Sequence, residues 1–156
     1  SSGKTESAEN AWGAPVEYLV PVDSESDTKA PKYEETVRIV REELRDKLEA
    51  AFNGIKLGDD MTKWLTVAEI SPSGTVLTAR VGDRTVTGGE VRTALGLRSA
   101  DFDISYDDEQ AVITTRGFGH GVGMSQYGAN AMASAGSTWR EILTHYYPNC
   151  NIEEIT

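Results

Sequence analysis

Apolar side chains change spacing several times along the chain, and each change marks an element. Between Tyr33 and Phe52, Val37, Val40, Leu44, Leu48 and Ala51 recur at intervals of three and four, the period of an amphipathic helix. Val37 and Ile39 also alternate, which predicts a strand over Glu35 to Val40 running into a helix from Arg41 to Ala51 that stops at Asn53 and Gly54. Trp64 to Ile70 and Thr75 to Val81 are rich in β-branched residues and flank Ser71-Pro72-Ser73-Gly74, the pattern of a hairpin. A third short strand, Arg84 to Thr87, follows Gly82-Asp83, and Gly88 to Leu95 predicts a helix with Val91, Ala94 and Leu95 inward, closed by Gly96. Phe102 to Tyr106 and Ala111 to Thr115 form a second hairpin across Asp107, Asp108 and Glu109. Met124 to Ala135 reads as a helix ending at Gly136, and Thr138 with Glu141 makes a capping box for a last helix from Trp139 to Tyr147, closed by Pro148. Before all of these, residues 1–32 are mostly polar, with an apolar island at Val16, Tyr18, Leu19 and Val20 that predicts one strand before Pro21. An acidic loop from Asp23 to Pro31 comes next. The fold class is α+β, a mostly antiparallel sheet of short strands with packed helices.

One stretch fits none of these periods. Thr115 to Ala129 sets Gly117, Gly119, Gly121, Gly123 and Gly128 around His120 and ends in Ser125, Gln126 and Tyr127. Each glycine weakens an element interior by roughly 0.5 to 1 kcal/mol against alanine, so regular structure does not account for them. Two readings remain: a rigid loop that presents His120 to a ligand, or a tight turn packed under a sheet with His120 as a hydrogen-bonded core residue.

Composition narrows the partners. The 156 residues favour one domain, and a formal net charge of -10 argues against phosphate backbones and anionic headgroups, which clustered Lys and Arg would bind. A neutral or zwitterionic substrate, and no nucleic acid, is expected. No run approaches the roughly 18 apolar residues of a membrane span. Cys150 is the single cysteine, which excludes an intrachain disulfide. The polar opening, Ser1-Ser2-Gly3-Lys4-Thr5-Glu6, lacks a methionine and a signal-peptide pattern and suggests a fragment or a processed chain.

Familiar motifs fail in turn. Ser2-Gly3-Lys4-Thr5 looks like the end of a phosphate-binding loop, but the glycine and strand that such a motif needs do not precede it in this sequence. Counting Gly-x-Gly-x-x-Gly from Gly117 lands on Val122 and from Gly119 on Met124. His120, His145 and Cys150 lie 25 and 5 residues apart, which matches no compact zinc pattern, so neither metal nor cofactor is expected. His145 suits the end of the last helix, where positive charge is favourable. Ser125 lacks the Gly-x-Ser-x-Gly elbow of a hydrolase nucleophile. Glu69 sits in an apolar strand, but alternation puts it on the same face as Val67, the wet side of the sheet.

The glycine-rich stretch itself, Arg116-Gly117-Phe118-Gly119-His120-Gly121-Val122-Gly123-Met124-Ser125-Gln126-Tyr127-Gly128-Ala129, followed by Glu141-Ile142-Leu143 and His145-Tyr146-Tyr147-Pro148, resembles the C-terminal signature of the stage II sporulation protein D and amidase-enhancer family. The resemblance extends to Val91 through Ser99, to Ser2-Gly3-Lys4-Thr5-Glu6 and to Trp12-Gly13, and so covers nearly the whole chain. Phe118 stands where the family often has tryptophan, and Asn149-Cys150 replaces a Gly-Thr type turn, making Cys150 an incidental free thiol.

The resemblance implies a peptidoglycan lytic transglycosylase that cleaves between N-acetylmuramic acid and N-acetylglucosamine, with one glutamate acting as acid and then base. In the family that glutamate lies in an Ala-Glu-Met-Pro-like segment upstream of the Ser-Gly-Lys-Thr segment. The chain is thus expected to be the C-terminal part of a single domain of this family, with the N-terminal part, the catalytic glutamate and any membrane anchor lying outside it. Glu69, in Ala68-Glu69-Ile70-Ser71-Pro72, is on the wrong side of Lys4 to replace that glutamate. Residue by residue, the resemblance assigns His120, Ser125, Gln126 and Tyr127 to a glycan cleft, brings Lys4 and Thr5 to it from the other end, and leaves Arg116 either at the cleft or capping its strand with a salt bridge. The implied partners are peptidoglycan glycan strands and a cell-wall amidase, in an extracytoplasmic location. A non-catalytic module that binds glycan or stimulates an amidase is the alternative.

Overall fold

The computed structural model describes residues 1, 3–31 and 33–153; Ser2, the first residue of the Ser-Gly-Lys-Thr segment, lies outside the described residues. The change of period at Arg41 is a change of element: β1 (Glu34–Val40) passes directly into α2 (Arg41–Ala51), which buries Leu44 and Leu48. The hairpin β2 (Leu65–Ile70) and β3 (Val76–Val81) continues into β4 (Arg84–Thr87), then α3 (Gly88–Leu95), started by a Thr87/Glu90 capping box and ended by left-handed Gly96. β5 (Phe102–Tyr106) and β6 (Gln110–Arg116) complete the strands. α4 (Gln126–Ser134) and α5 (Trp139–Tyr146) close the order, the latter on the Thr138/Glu141 box.

The strands form two antiparallel sheets rather than one, β1-β6-β5 and β2-β3-β4. In the first, Val37 and Ile104 flank Ile113 in register, and β6 buries Ala111, Ile113 and Thr115 on one face. Both sheets contribute to one core with α2 and α3, including Leu48, Val81, Val91, Phe102 and Ile113. Tyr106 ties the sheets together by donating its hydroxyl to the Leu65 carbonyl at 2.6 Å, and burial pushes its pKa up to about 12. Glu69 is exposed, next to a bulge in β2.

Two expectations for residues 1–32 need correction. The apolar island is no strand: Leu19 N–H turns back to the Val16 carbonyl, and Ala8 N–H donates to Leu19, so this segment pairs with the chain start as a loop. The preceding residues contain a helix that the apolar pattern did not suggest, α1 (Ala8–Trp12), capped by the Ser7 hydroxyl and by left-handed Gly13. The acidic Asp23 to Pro31 loop contains a 3-10 turn (Glu25–Lys29) with Ser24 and Asp27 buried, because partners from the C-terminal helices reach them. α4 begins two residues later than expected, since Ser125 is its cap.

Candidate functional site

The glycine-rich loop combines the two readings its sequence allowed. Gly117, Gly119, Gly121 and Gly123 have φ of 67°, 70°, 71° and 80°, so every second residue is left-handed, a conformation costly for other L-residues. The loop backbone is fastened to three separate segments. Gly117 N–H donates to the Tyr33 carbonyl (2.9 Å), Gly119 N–H to Arg98 (2.9 Å), and the Gly121 carbonyl accepts from Glu6 N–H (3.0 Å). The intervening side chains stay at the surface: Phe118 is 44% exposed under the Arg98 guanidinium, and His120 is exposed against the Trp12 ring. A packed backbone thus presents an exposed histidine.

The loop borders a cleft of about 470 Å³ lined by residues 117–127 with Ser1, Asp27, Ala30 and Tyr33. His120, Ser125, Gln126 and Tyr127, the signature residues, therefore share one cleft. Gln126 and Tyr127 are exposed at the first turn of α4. Ser125 has a different task. Its hydroxyl donates to Asp27 Oδ1 at 2.6 Å and accepts from Gly128 N–H at 3.1 Å, so it caps the helix and bolts it to the 3-10 turn. Among the described lining residues Asp27 is the only carboxylate, and it is 3% exposed.

The remaining assigned residues lie off this cleft. Lys4 lines a small recess that shares His120 and Gly121 with the cleft, together with Arg116. Thr5 is 1% exposed: its hydroxyl accepts from Val22 N–H at 2.8 Å, a fastening of the N-terminal segment rather than a ligand contact. Arg116 caps β6 through Glu34, Asp101 and Asp103; Asp103 first, and Asp101, push its guanidinium still further from deprotonation. His145 holds the Asp23 carbonyl at 2.7 Å at the end of α5. Cys150 is exposed. Among the described residues, no group of three or more His, Cys, Asp or Glu is placed to hold a metal ion, and no helix is long and apolar enough to cross a membrane.

Three contributors escaped the sequence pattern. Asp27 was hidden in an acidic run. Tyr33 reaches the cleft only through the fold. Glu6 is 1% exposed, and its carboxylate accepts four hydrogen bonds: Oε1 from Ser7 N–H and Asn10 Nδ2, Oε2 from the Ser71 and Ser73 hydroxyls. Burial alone raises its pKa, but those donors, Ser71 foremost, outweigh it and hold the carboxyl below the ordinary value. Such a group stays ionised and is unsuited to donate a proton. Its part is to join the hairpin turn to the segment that carries the loop.

Comparison with known proteins agrees with the signature. No protein-family model matches the chain. It is 42% identical over 154 residues, 99% of its own length, to a protein named Stage II sporulation protein D from Bacillus subtilis (strain 168), and 42% identical over 155 residues to its namesake in Bacillus amyloliquefaciens, again over 99% of its length. An 85-residue part, 53% of the chain, is 35% identical to a protein named Amidase enhancer from Bacillus subtilis (strain 168), of which it covers 12%. The chain is homologous to stage II sporulation protein D and its amidase-enhancer relatives. It spans 43% of the length of each of those two sporulation proteins.

Proposed function

We propose that this chain is the substrate-cleft part of a peptidoglycan-remodelling lytic transglycosylase acting outside the cytoplasm. The observation that carries the reading is the backbone-fastened loop, which leaves His120, Gln126 and Tyr127 open to one cleft while the Ser125 hydroxyl and the Asp27 carboxylate beside them are engaged with each other. The Gln126 amide offers both a donor and an acceptor to an acetamido group, and the Tyr127 ring offers an apolar face to a pyranose. His120 accepts from Val122 N–H at Nδ1 (3.1 Å), which leaves Nε2–H as its donor toward substrate. The glycosidic oxygen takes its proton from a glutamate supplied by the longer protein. That carboxylate then removes the proton from the sugar's own hydroxyl as it closes on the anomeric carbon, giving an anhydro product without a second carboxylate.

Co-sedimentation with glycan strands stripped of stem peptides tests this. The chain should pellet with the strands and release no anhydro sugar, and Tyr127→Ala or Gln126→Ala should weaken binding about tenfold, the loss expected for one central contact. A chain that stays in the supernatant overturns the reading. The amidase-enhancer match favours a second reading, in which the same module stimulates a wall amidase. In that case the chain would raise amidase turnover on intact wall while binding stripped strands no better than Tyr127→Ala does.

A further inference from the structure

Beside the cleft, and not part of its lining, stands an aromatic ring with an unusual setting. Trp12 is 57% exposed, and its ring centroid lies 5.1 Å from that of His120 with the planes tilted by 57°. Exposing so much indole surface forfeits hydrophobic stabilisation, yet the mount is fixed at several points. Ala8 is fully buried and its N–H donates to the Leu19 carbonyl at 3.0 Å. The Asn10 amide donates to the Glu6 carboxylate at 2.9 Å, and Gly13 closes the helix with its N–H on the Glu9 carbonyl at 2.7 Å. The segment that carries the exposed Trp12 ring is therefore held in place, and the neighbouring histidine is held too, through Val122 N–H on Nδ1. A flat apolar face beside an imidazole donor matches a pyranose with equatorial substituents: its axial C–H groups suit the ring, and the hydroxyls at its rim suit the donor.

Resting on the glycan reading above, we propose that Trp12 is a further sugar subsite, which takes a neutral acetamido-sugar of the same strand that lies beyond the reach of a disaccharide seated at Gln126 and Tyr127. The chain's formal net charge of -10 disfavours a polyanion as the ligand. A platform beside His120 and outside the cleft lining serves only ligands long enough to reach both it and the cleft, so it makes binding depend on glycan length.

The test uses N-acetylglucosamine oligomers as probes, a disaccharide and a hexasaccharide, titrated into the chain by calorimetry. The unaltered chain should bind the hexasaccharide about tenfold more tightly than the disaccharide. Trp12→Ala should abolish that difference and leave disaccharide binding as it was, while Trp12→Phe should keep most of it. If Trp12→Ala weakens both oligomers equally, the ring merely holds His120 and the subsite is wrong. If the length dependence survives Trp12→Ala, the subsite is also wrong, although the glycan reading stands. An unaltered chain that binds neither oligomer overturns the glycan reading and the subsite with it.

Discussion

Gly128→Ala should lower the stability of the protein by about 3 kcal/mol and its midpoint of thermal unfolding by about 10 °C. Gly128 is the third residue of α4, where alanine would ordinarily help by about 1 kcal/mol through helix propensity. Space decides the opposite sign. A Cβ there would lie 1.9 Å from Tyr146 Oη, 2.4 Å from Ser24 Oγ and 3.2 Å from Asp27 Oδ1. None of these atoms is the free end of a flexible chain. Tyr146 is 1% exposed and shares a 2.8 Å hydrogen bond with Ser24, and Asp27 holds the Ser125 hydroxyl. Making room means separating α4 from α5 and the 3-10 turn, which breaks a buried polar pair and creates strain together. Because Gln126 and Tyr127 ride on the first turn of α4, glycan binding should fall with stability. A midpoint unchanged or raised, measured by circular dichroism, would show that the helices can separate at no cost.

The same cluster shows why part of the site was hidden from the sequence. Where periodicity is local, it sufficed: the switch at Arg41, the hairpins and α3 all follow from the spacing of apolar side chains and from turn residues a few positions away. Asp27 is 98 residues from Ser125, and nothing in a run of acidic residues marks the one that will be buried. Its burial is a property of the tertiary fold, since the α4 N-terminus brings the hydroxyl that satisfies it. Ser125 did carry a local sign, a small hydroxyl residue ahead of an Ala-rich helix, but its place in the signature favoured a ligand role over capping. Thr5 was misleading for the same reason, its motif position standing ahead of the burial that commits its hydroxyl to Val22. The loop was legible in type but not in arrangement. Alternating glycines marked a loop outside regular structure, whereas its three fastening points, Tyr33, Arg98 and Glu6, lie far apart along the chain.

Of those three, Glu6 yields the other large effect, and its variants separate a structural carboxylate from a catalytic one. Glu6→Ala removes the acceptor of four hydrogen bonds and leaves the Ser71 and Ser73 hydroxyls, Ser7 N–H and the Asn10 amide without it in a buried place. A loss of about 3 kcal/mol is expected, read as a lower urea midpoint. Glu6→Gln should cost much less. Its amide oxygen can accept from Ser7 and Asn10 while its NH₂ donates to the two serine hydroxyls, which rotate to accept. The pair also predicts a pH dependence. The folded-state pKa of Glu6 is depressed, so below the unfolded value of about 4.3 the unfolded chain binds more protons. The contribution of this carboxylate is full above that value and is lost as pH falls through the lower folded value. Urea midpoints measured from neutral pH downward should therefore decline more steeply below about pH 4.3 in the unaltered chain than in Glu6→Gln, with the two profiles parallel above it. Identical profiles would mean that the carboxylate is not held by these donors. A carboxyl kept ionised in this way serves as an anchor: it fixes the segment whose Glu6 N–H carries the Gly121 carbonyl, and through Gly121 it sets the position of His120.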